Sequence, residues 1–326
     1  MVQLNANSFK IEQISGVLLV ILFIFNSTLI NLFVKLTSAS TTTIMFARYN
    51  VAFLFLMPFV PYLFKLRCSI WLHIIRACVV FMVNFLTYYG QKNAAFVNVN
   101  LISMSEPFFV FLYSALLTRK YLSRLVSKII NNLHFRGRLS QHQYKHINGT
   151  IGEIKPLSWQ KIYGLSVGYL GVLTVVLFNP TNGNSTNTLL GNLAMVLANI
   201  LNASLLFQSR YMAVMENIKT LLIYNTFCLW ILSWFIKPSN NTLLHLSAHD
   251  IIFLFIIGLL AISVHFLNMQ GLKRLNPENY SPLLYARIIF ASIFAYLFLN
   301  ETIGLRHFIG ASLIIYGFYV INKKNC

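Results

Sequence analysis

Apolar residues run along this chain in long blocks, and polar or charged residues gather in the gaps between them. A block of about 20 apolar residues has the length a helix needs to cross the hydrocarbon core of a bilayer. The pattern predicts ten such helices, at about 14–36, 43–64, 70–90, 96–117, 159–179, 188–209, 219–236, 250–271, 279–299 and 304–322. Turn-forming clusters fall at the cuts, as in Asn179-Pro180-Thr181-Asn182-Gly183-Asn184, Lys237-Pro238-Ser239-Asn240-Asn241 and Leu275-Asn276-Pro277-Glu278. No soluble domain is left over. The first block competes with a signal peptide, since Lys10 precedes it and Ser38-Ala39-Ser40 imitates a cleavage site. Its length exceeds a signal core, so a first membrane helix is expected.

Composition agrees with the pattern: 57% of the 326 residues are hydrophobic, 15% aromatic and only 10% charged. Lys and Arg number 25 against seven Asp plus Glu, a net charge of +18. On a soluble protein that excess would suggest nucleic acid, but here the cations sit between apolar blocks, so no nucleic-acid partner is expected. Alternate loops divide them unevenly. One set carries Lys10, Lys65, Arg67, Arg119, Lys120, Arg124, Lys128, Arg136, Arg138, Lys145, Lys155, Lys219, Lys273, Arg274, Lys323 and Lys324; the other chiefly Lys92, Lys237 and Arg306. By the positive-inside rule both termini are cytoplasmic. Cys68, Cys78, Cys228 and Cys326 have no CxxC or metal-ligand spacing, so no disulfide, metal or cofactor is expected.

The chain also matches itself. A displacement of 181 places Phe85-Leu86 on Phe266-Leu267, Gly90 on Gly271, Lys92 on Lys273 and Asn98 on Asn279. A displacement of 175 places Gly16 on Gly191, Lys35 on Arg210 and Tyr49-Asn50 on Tyr224-Asn225. At 146, Gly164 and Gly171 fall on Gly310 and Gly317, which leaves a 35-residue insertion after the fourth helix of the first half. The expected fold is therefore an all-α integral membrane protein of ten transmembrane helices in two five-helix repeats, 1–182 and 183–326, with a basic cytoplasmic insertion at about 119–157. Five is odd, so the second repeat enters from the opposite face; inverted repeats of this kind let a carrier expose one central site to either side in turn.

These residues resemble the drug/metabolite transporter superfamily, in its ten-helix EamA-type branch, over nearly the whole chain. The resemblance is fullest in Ala295-Tyr296-Leu297-Phe298-Leu299-Asn300-Glu301-Thr302, Ile309-Gly310-Ala311 and Tyr316-Gly317. In the first half it rests on Arg48 and on Glu106-Pro107, and it departs at Arg119-Lys120, where the family often has an acid. The resemblance implies two five-helix repeats around a central cavity lined by the third, fourth, eighth and ninth helices, and a bacterial inner-membrane location.

Ionisable residues at bilayer depth are costly, which makes Glu106 and Arg287 the first candidates for the substrate site. The displacement of 181 puts one on the other. Glu106 can attract a cationic group and Arg287 can hold a carboxylate with its two-pronged fork, an arrangement suited to a zwitterion. The alternative is a structural salt bridge between the halves. Glu106 can also carry a coupling proton, because low dielectric favours the neutral carboxyl. Asn84, Tyr88, Tyr113, His265, Asn268 and Tyr285 are further candidates for contact with substrate, against packing roles at helix interfaces or in an aromatic belt. Arg48 and Arg76 fall near span ends, where long side chains can reach the headgroups, and Arg48 is kept as a substrate candidate.

In the insertion, Leu122, Leu125, Val126, Ile129, Ile130 and Leu133 recur at helical spacing among Arg119, Lys120, Arg124 and Lys128. That pattern fits an amphipathic helix on anionic lipid, or a basic tether. Motifs for catalysis and for binding the phosphates of ATP are missing, which disfavours an intramembrane enzyme and an ATP-driven pump. The expectation is a secondary transporter of a small metabolite in contact with the bilayer, with a homodimer compatible with this reading. Among EamA-type carriers it resembles S-adenosylmethionine transporters; a general drug or metabolite exporter, a channel and a flippase are the alternatives.

Overall fold

The computed structural model describes residues 6–64, 66, 68–117, 159–177, 189–238, 246–275, 280–300 and 304–322, and the regular structure among them is entirely helical. The basic insertion at 119–157, with its expected amphipathic helix, and Glu301 lie outside the described residues. In chain order the helices are α1 (Ala6–Leu36), α2 (Thr41–Leu56) with a 3-10 turn (Met57–Phe64), α3 (Ile70–Asn93), α4 (Phe96–Ser103) and α5 (Glu106–Leu117). They continue with α6 (Trp159–Leu177), α7 (Leu189–Met215), α8 (Ile218–Phe235), α9 (Ala248–Arg274), a 3-10 turn (Ser281–Ala286), α10 (Arg287–Leu299) and α11 (Leu305–Asn322). Six stretches among the described residues are long and apolar enough to cross a membrane: Ile14–Leu36, Thr41–Leu63, Ile70–Asn93, Leu189–Ala213, Ile218–Phe235 and Ala248–Arg274.

Helix is what an apolar segment adopts in lipid, because it pairs every backbone N–H and C=O within the segment. The starts are set locally. Ser40 Oγ accepts from Thr43 N, Asn217 Oδ1 from Lys219 N, and Ser247 Oγ from Asp250 N. Two runs expected as single helices are broken. The first stops at Ser103 and restarts at Glu106, just ahead of Pro107, whose missing N–H suits a first helical turn and cannot serve a helix interior. The second opens as a 3-10 turn containing Pro282 and becomes α-helical at Arg287. Glu106 is thus the first residue of a helix that follows a break, and Arg287 the first α-helical residue after a 3-10 start.

Large apolar side chains face outward, as lipid requires and water would penalise: Trp159 is 85% exposed and Phe235 82%. Small residues let the helices approach within the bundle, as is common in membranes. Gly16 lies against Arg274 and Leu275, and Gly191 against Asn93 and Ala94. Gly90 meets Met195, and Gly271 meets Val20. Between α6 and α11, a Cβ on Gly317 would lie 2.5 Å from the Gly164 carbonyl oxygen, and one on Gly171 would lie 2.8 Å from that of Gly310.

Carboxylates fasten two loops to helix starts. Asp250 of α9 accepts Thr37 Oγ1 at 2.6 Å, Ser38 N at 2.8 Å and Ser38 Oγ at 2.6 Å, tying α9 to the α1–α2 loop. Glu216, in the α7–α8 connection, accepts Cys68 N at 2.5 Å and lies 3.6 Å from His73 Nε2, which ties that connection to the start of α3. Two lysines lace the α1–α2 loop to the α3–α4 junction: Lys35 Nζ donates to Ala94 O at 2.7 Å, and Lys92 Nζ donates to Thr37 O.

Candidate functional site

A cavity of about 220 Å³ opens in the middle of the helices, lined by residues of α1 to α5, α7 to α9, the second 3-10 turn and α10. Seven residues singled out from sequence line it: Arg48, Asn84, Tyr88, Glu106, His265, Asn268 and Arg287. Tyr113 and Tyr285 do not. Tyr285 packs against the apolar cluster around Phe96, Leu101 and Ala291, and Tyr113 against the one around Val20, Met212 and Leu221.

Glu106 is buried, with Asn202 of α7 bonded to its carboxyl. Arg287 is electrostatically coupled to Glu106, but the two are not joined in a contact ion pair. Tyr280 lies within the field of both and donates its hydroxyl to Asn268 Oδ1 at 2.6 Å. The irregular backbone that carries Glu106 is itself held in place: Asn199 Nδ2 donates to Ile102 O at 2.6 Å and to Ser105 Oγ at 3.1 Å. This meets a general requirement, since backbone freed by a helix break inside a membrane must find partners in the protein.

A second group includes His265, Arg48 and Arg76, which all line the cavity, and both guanidiniums act electrostatically on the imidazole. Arg48 donates to the Tyr88 hydroxyl, and its guanidinium stands 5.4 Å from the Tyr88 ring centre and 5.6 Å from that of Tyr49. Asn84 in turn bonds the Tyr49 hydroxyl at 2.9 Å. Arg76 is 2% exposed, donates Nε to Ser209 Oγ at 3.3 Å and sets Nη2 3.9 Å from Met269 Sδ. The expectation that Arg76 reaches the headgroups is therefore corrected: it sits two turns into α3, on the face that turns inward. Arg48 likewise turns to the cavity and not to the membrane surface.

The lining ends in polar atoms without protein partners. Arg48 Nε, Arg287 Nε, His265 Nε2 and Asn225 Oδ1 are buried and have no hydrogen-bond partner among the described residues. Such atoms are costly in a folded interior and are characteristic of a site that receives a polar guest. Asn199, Asn202 and Tyr280 were not singled out from sequence. Asn199, Asn202 and Ser209 recur at spacings of three and seven along apolar α7, a one-face polar stripe that would have pointed to them.

Residues 189–323 match the EamA-like transporter family. A protein of known crystal structure has a similar fold over 95% of this chain and 98% of its own, at a TM-score of 0.58 and 14% sequence identity. None of the curated proteins matches the chain. With the apolar helices, the family match supports an integral membrane protein of the transporter class. These likenesses name no cargo, and none points to S-adenosylmethionine.

Proposed function

We propose that this chain is a secondary carrier that moves a small zwitterionic, amino-acid-like metabolite across the membrane by alternating access. One observation carries the reading: a central cavity, walled by helices from both halves, holds one carboxylate and one guanidinium where α5 and α10 begin. Broken helices of this kind are the usual substrate-facing elements of carriers built from inverted repeats. Glu106 would hold an ammonium group and Arg287 a carboxylate. Asn202 bonds the Glu106 carboxyl, and the Tyr280–Asn268 pair lines the cavity beside the two charged groups.

The ten-helix reading, with halves at 1–182 and 183–326, is supported by paired contacts. Gly16 meets Arg274 and Leu275, while its counterpart Gly191 meets Asn93 and Ala94, the counterparts of those two residues. Gly90–Met195 and Gly271–Val20 are related in the same way, as are Gly317–Gly164 and Gly171–Gly310. Each contact recurs with the halves exchanged, as a two-fold axis between inverted repeats requires. The loop charges favour cytoplasmic termini, and a bacterial inner membrane follows from the family resemblance. S-adenosylmethionine fits this cavity poorly: it carries two cationic centres and one carboxylate, whereas among the described residues the lining holds Arg48, Arg76 and Arg287 against Glu106 alone.

Counterflow into proteoliposomes with a panel of radiolabelled amino acids tests the proposal. Saturable, trans-stimulated exchange is expected, and Glu106→Gln or Arg287→Lys should lower transport efficiency at least tenfold while the protein stays monodisperse. Linear, nonsaturating flux would indicate a channel and overturn the reading. Restored transport in the Glu106→Arg/Arg287→Glu exchange would favour a structural bridge.

A further inference from the structure

The charges around the cavity do not balance. Of the carboxylates among the described residues, Glu106 alone lines it, whereas three guanidiniums do. Arg287 is coupled to Glu106. Arg48 and Arg76 bond only neutral groups there: a phenol, a serine hydroxyl and a thioether. A guanidinium stays ionised at any physiological pH, so it cannot escape the cost of burial by losing its proton. Buried charges are retained where something pairs them, and a pair of uncompensated cations on a cavity wall is paired by what enters the cavity.

The cavity wall carries the charges in two groups. Arg48 and Arg76 are anchored on Tyr88, Ser209 and Met269 and act on His265 of α9, whereas Glu106 and Arg287 act on Tyr280, which bonds Asn268. Arg48 is flanked by the Tyr88 and Tyr49 rings and has no protein partner for its Nε among the described residues, and His265 Nε2 is likewise unpartnered there. Guanidinium donors on a cavity wall match the oxygens of a carboxylate or phosphate.

We infer that the cargo is an amino-acid-like metabolite with a second anionic group, a carboxylate or phosphate, which docks between Arg48 and Arg76 beside His265. The inference rests on the carrier reading above and narrows it. The α-amino acid end occupies the Glu106–Arg287 side, the acidic side chain occupies the Arg48–Arg76 side, and the net charge of the cargo is −1 or −2. A neutral amino acid leaves two cations unanswered, and a cationic one adds to them.

The test is counterflow in proteoliposomes containing the full chain, with L-glutamate and O-phospho-L-serine compared against L-glutamine and L-serine. The acidic member of each pair should half-saturate at a concentration at least tenfold lower. Arg48→Gln and Arg76→Gln should each reduce that ratio to about threefold or less, and Arg48→Lys should retain part of it. In detergent, the acidic compounds should raise the unfolding temperature of the parent protein above that seen with their neutral partners, a readout independent of transport. Saturable exchange that treats both members of a pair alike, or prefers the neutral one, overturns the inference and leaves the carrier reading intact. Absence of saturable exchange for every amino acid, acidic or neutral, overturns the carrier reading instead. A larger response to glutamate than to phosphoserine would assign the site to a carboxylate, and the reverse to a phosphate.

Discussion

Replacing Asp250 should separate the worth of its charge from the worth of its shape. The carboxylate accepts four hydrogen bonds: Oδ1 from Thr37 Oγ1 and Ser38 N, and Oδ2 from Ser38 Oγ and Ser247 Oγ. Hydrogen bonds to a charged group contribute about 1.5–3 kcal/mol each, but four on one carboxylate do not add, because the freed hydroxyls can turn to other partners. Alanine should therefore cost about 3–4 kcal/mol, with the Ser38 N–H, which cannot rotate, the main loss. Asparagine keeps an oxygen for that N–H, and its amide NH₂ can donate to the Ser38 and Ser247 hydroxyls. It loses only the charge and its favourable place in the first turn of α9, about 1–2 kcal/mol. At roughly 2 °C per kcal/mol for a chain of this size, the unfolding temperature should fall by about 6–8 °C for Asp250→Ala and about 2–4 °C for Asp250→Asn. Tryptophan fluorescence during heating of detergent-solubilised protein measures both. Equal shifts in the two variants, or shifts under 1 °C in both, would refute the assignment of Asp250 as the fastening between α9 and the α1–α2 loop.

Three further outcomes can be measured. Gly317→Ala forces a methyl to within 2.5 Å of the Gly164 oxygen and 2.7 Å of Gly168 N, backbone atoms that cannot swing aside, and should cost about 1–3 kcal/mol in unfolding. Gly16→Ala meets only the side chains of Leu275 and Arg274 at 3.0–3.3 Å and should cost less than about 1 kcal/mol in the same assay. Burial, together with the adjacent Glu216 carboxylate, pushes the Cys68 thiol up to about 12. The thiol form is thus favoured through neutral pH, and maleimide labelling, which needs the thiolate, should run about a thousandfold slower than at an exposed cysteine. In a chain whose other cysteines are serine, labelling should keep climbing with pH beyond 10 and be faster in Glu216→Gln. A plateau near pH 9 in the parent would contradict this.

How far the helices could be read from sequence depended on what the sequence encodes directly. Length, apolarity and turn residues locate the runs, so Leu305–Asn322 and Ile218–Phe235 lie within a residue of expectation. Breaks inside a run are harder to see. Ser103-Met104-Ser105-Glu106 is only a short polar step inside a long apolar run, and the proline marks the restart at Glu106. Depth along a helix was legible and facing was not: Arg48 and Arg76 sit where expected in the chain but point inward, and Tyr113 and Tyr285 sit at equally plausible depths but pack in apolar clusters. In lipid the outer face is as apolar as the core, so the usual amphipathic stripe that reveals orientation is weak. The self-match that placed Glu106 on Arg287 carried more information about the cavity than any single polar residue did.

The close contact of α6 with α11 has a consequence for how the protein is made. Leu305, where α11 starts, follows Leu177, where α6 ends, by 128 residues. At about 5–20 residues per second, the ribosome delivers the second helix roughly 6–26 s after the first. During that interval the glycine face of α6, where the two helices pack so closely that a Cβ would collide with backbone, has only lipid or another helix to cover it. Of the two, the helix synthesised later covers the one synthesised earlier, and a chain stalled before Leu305 would leave uncovered a glycine groove that α11 otherwise fills.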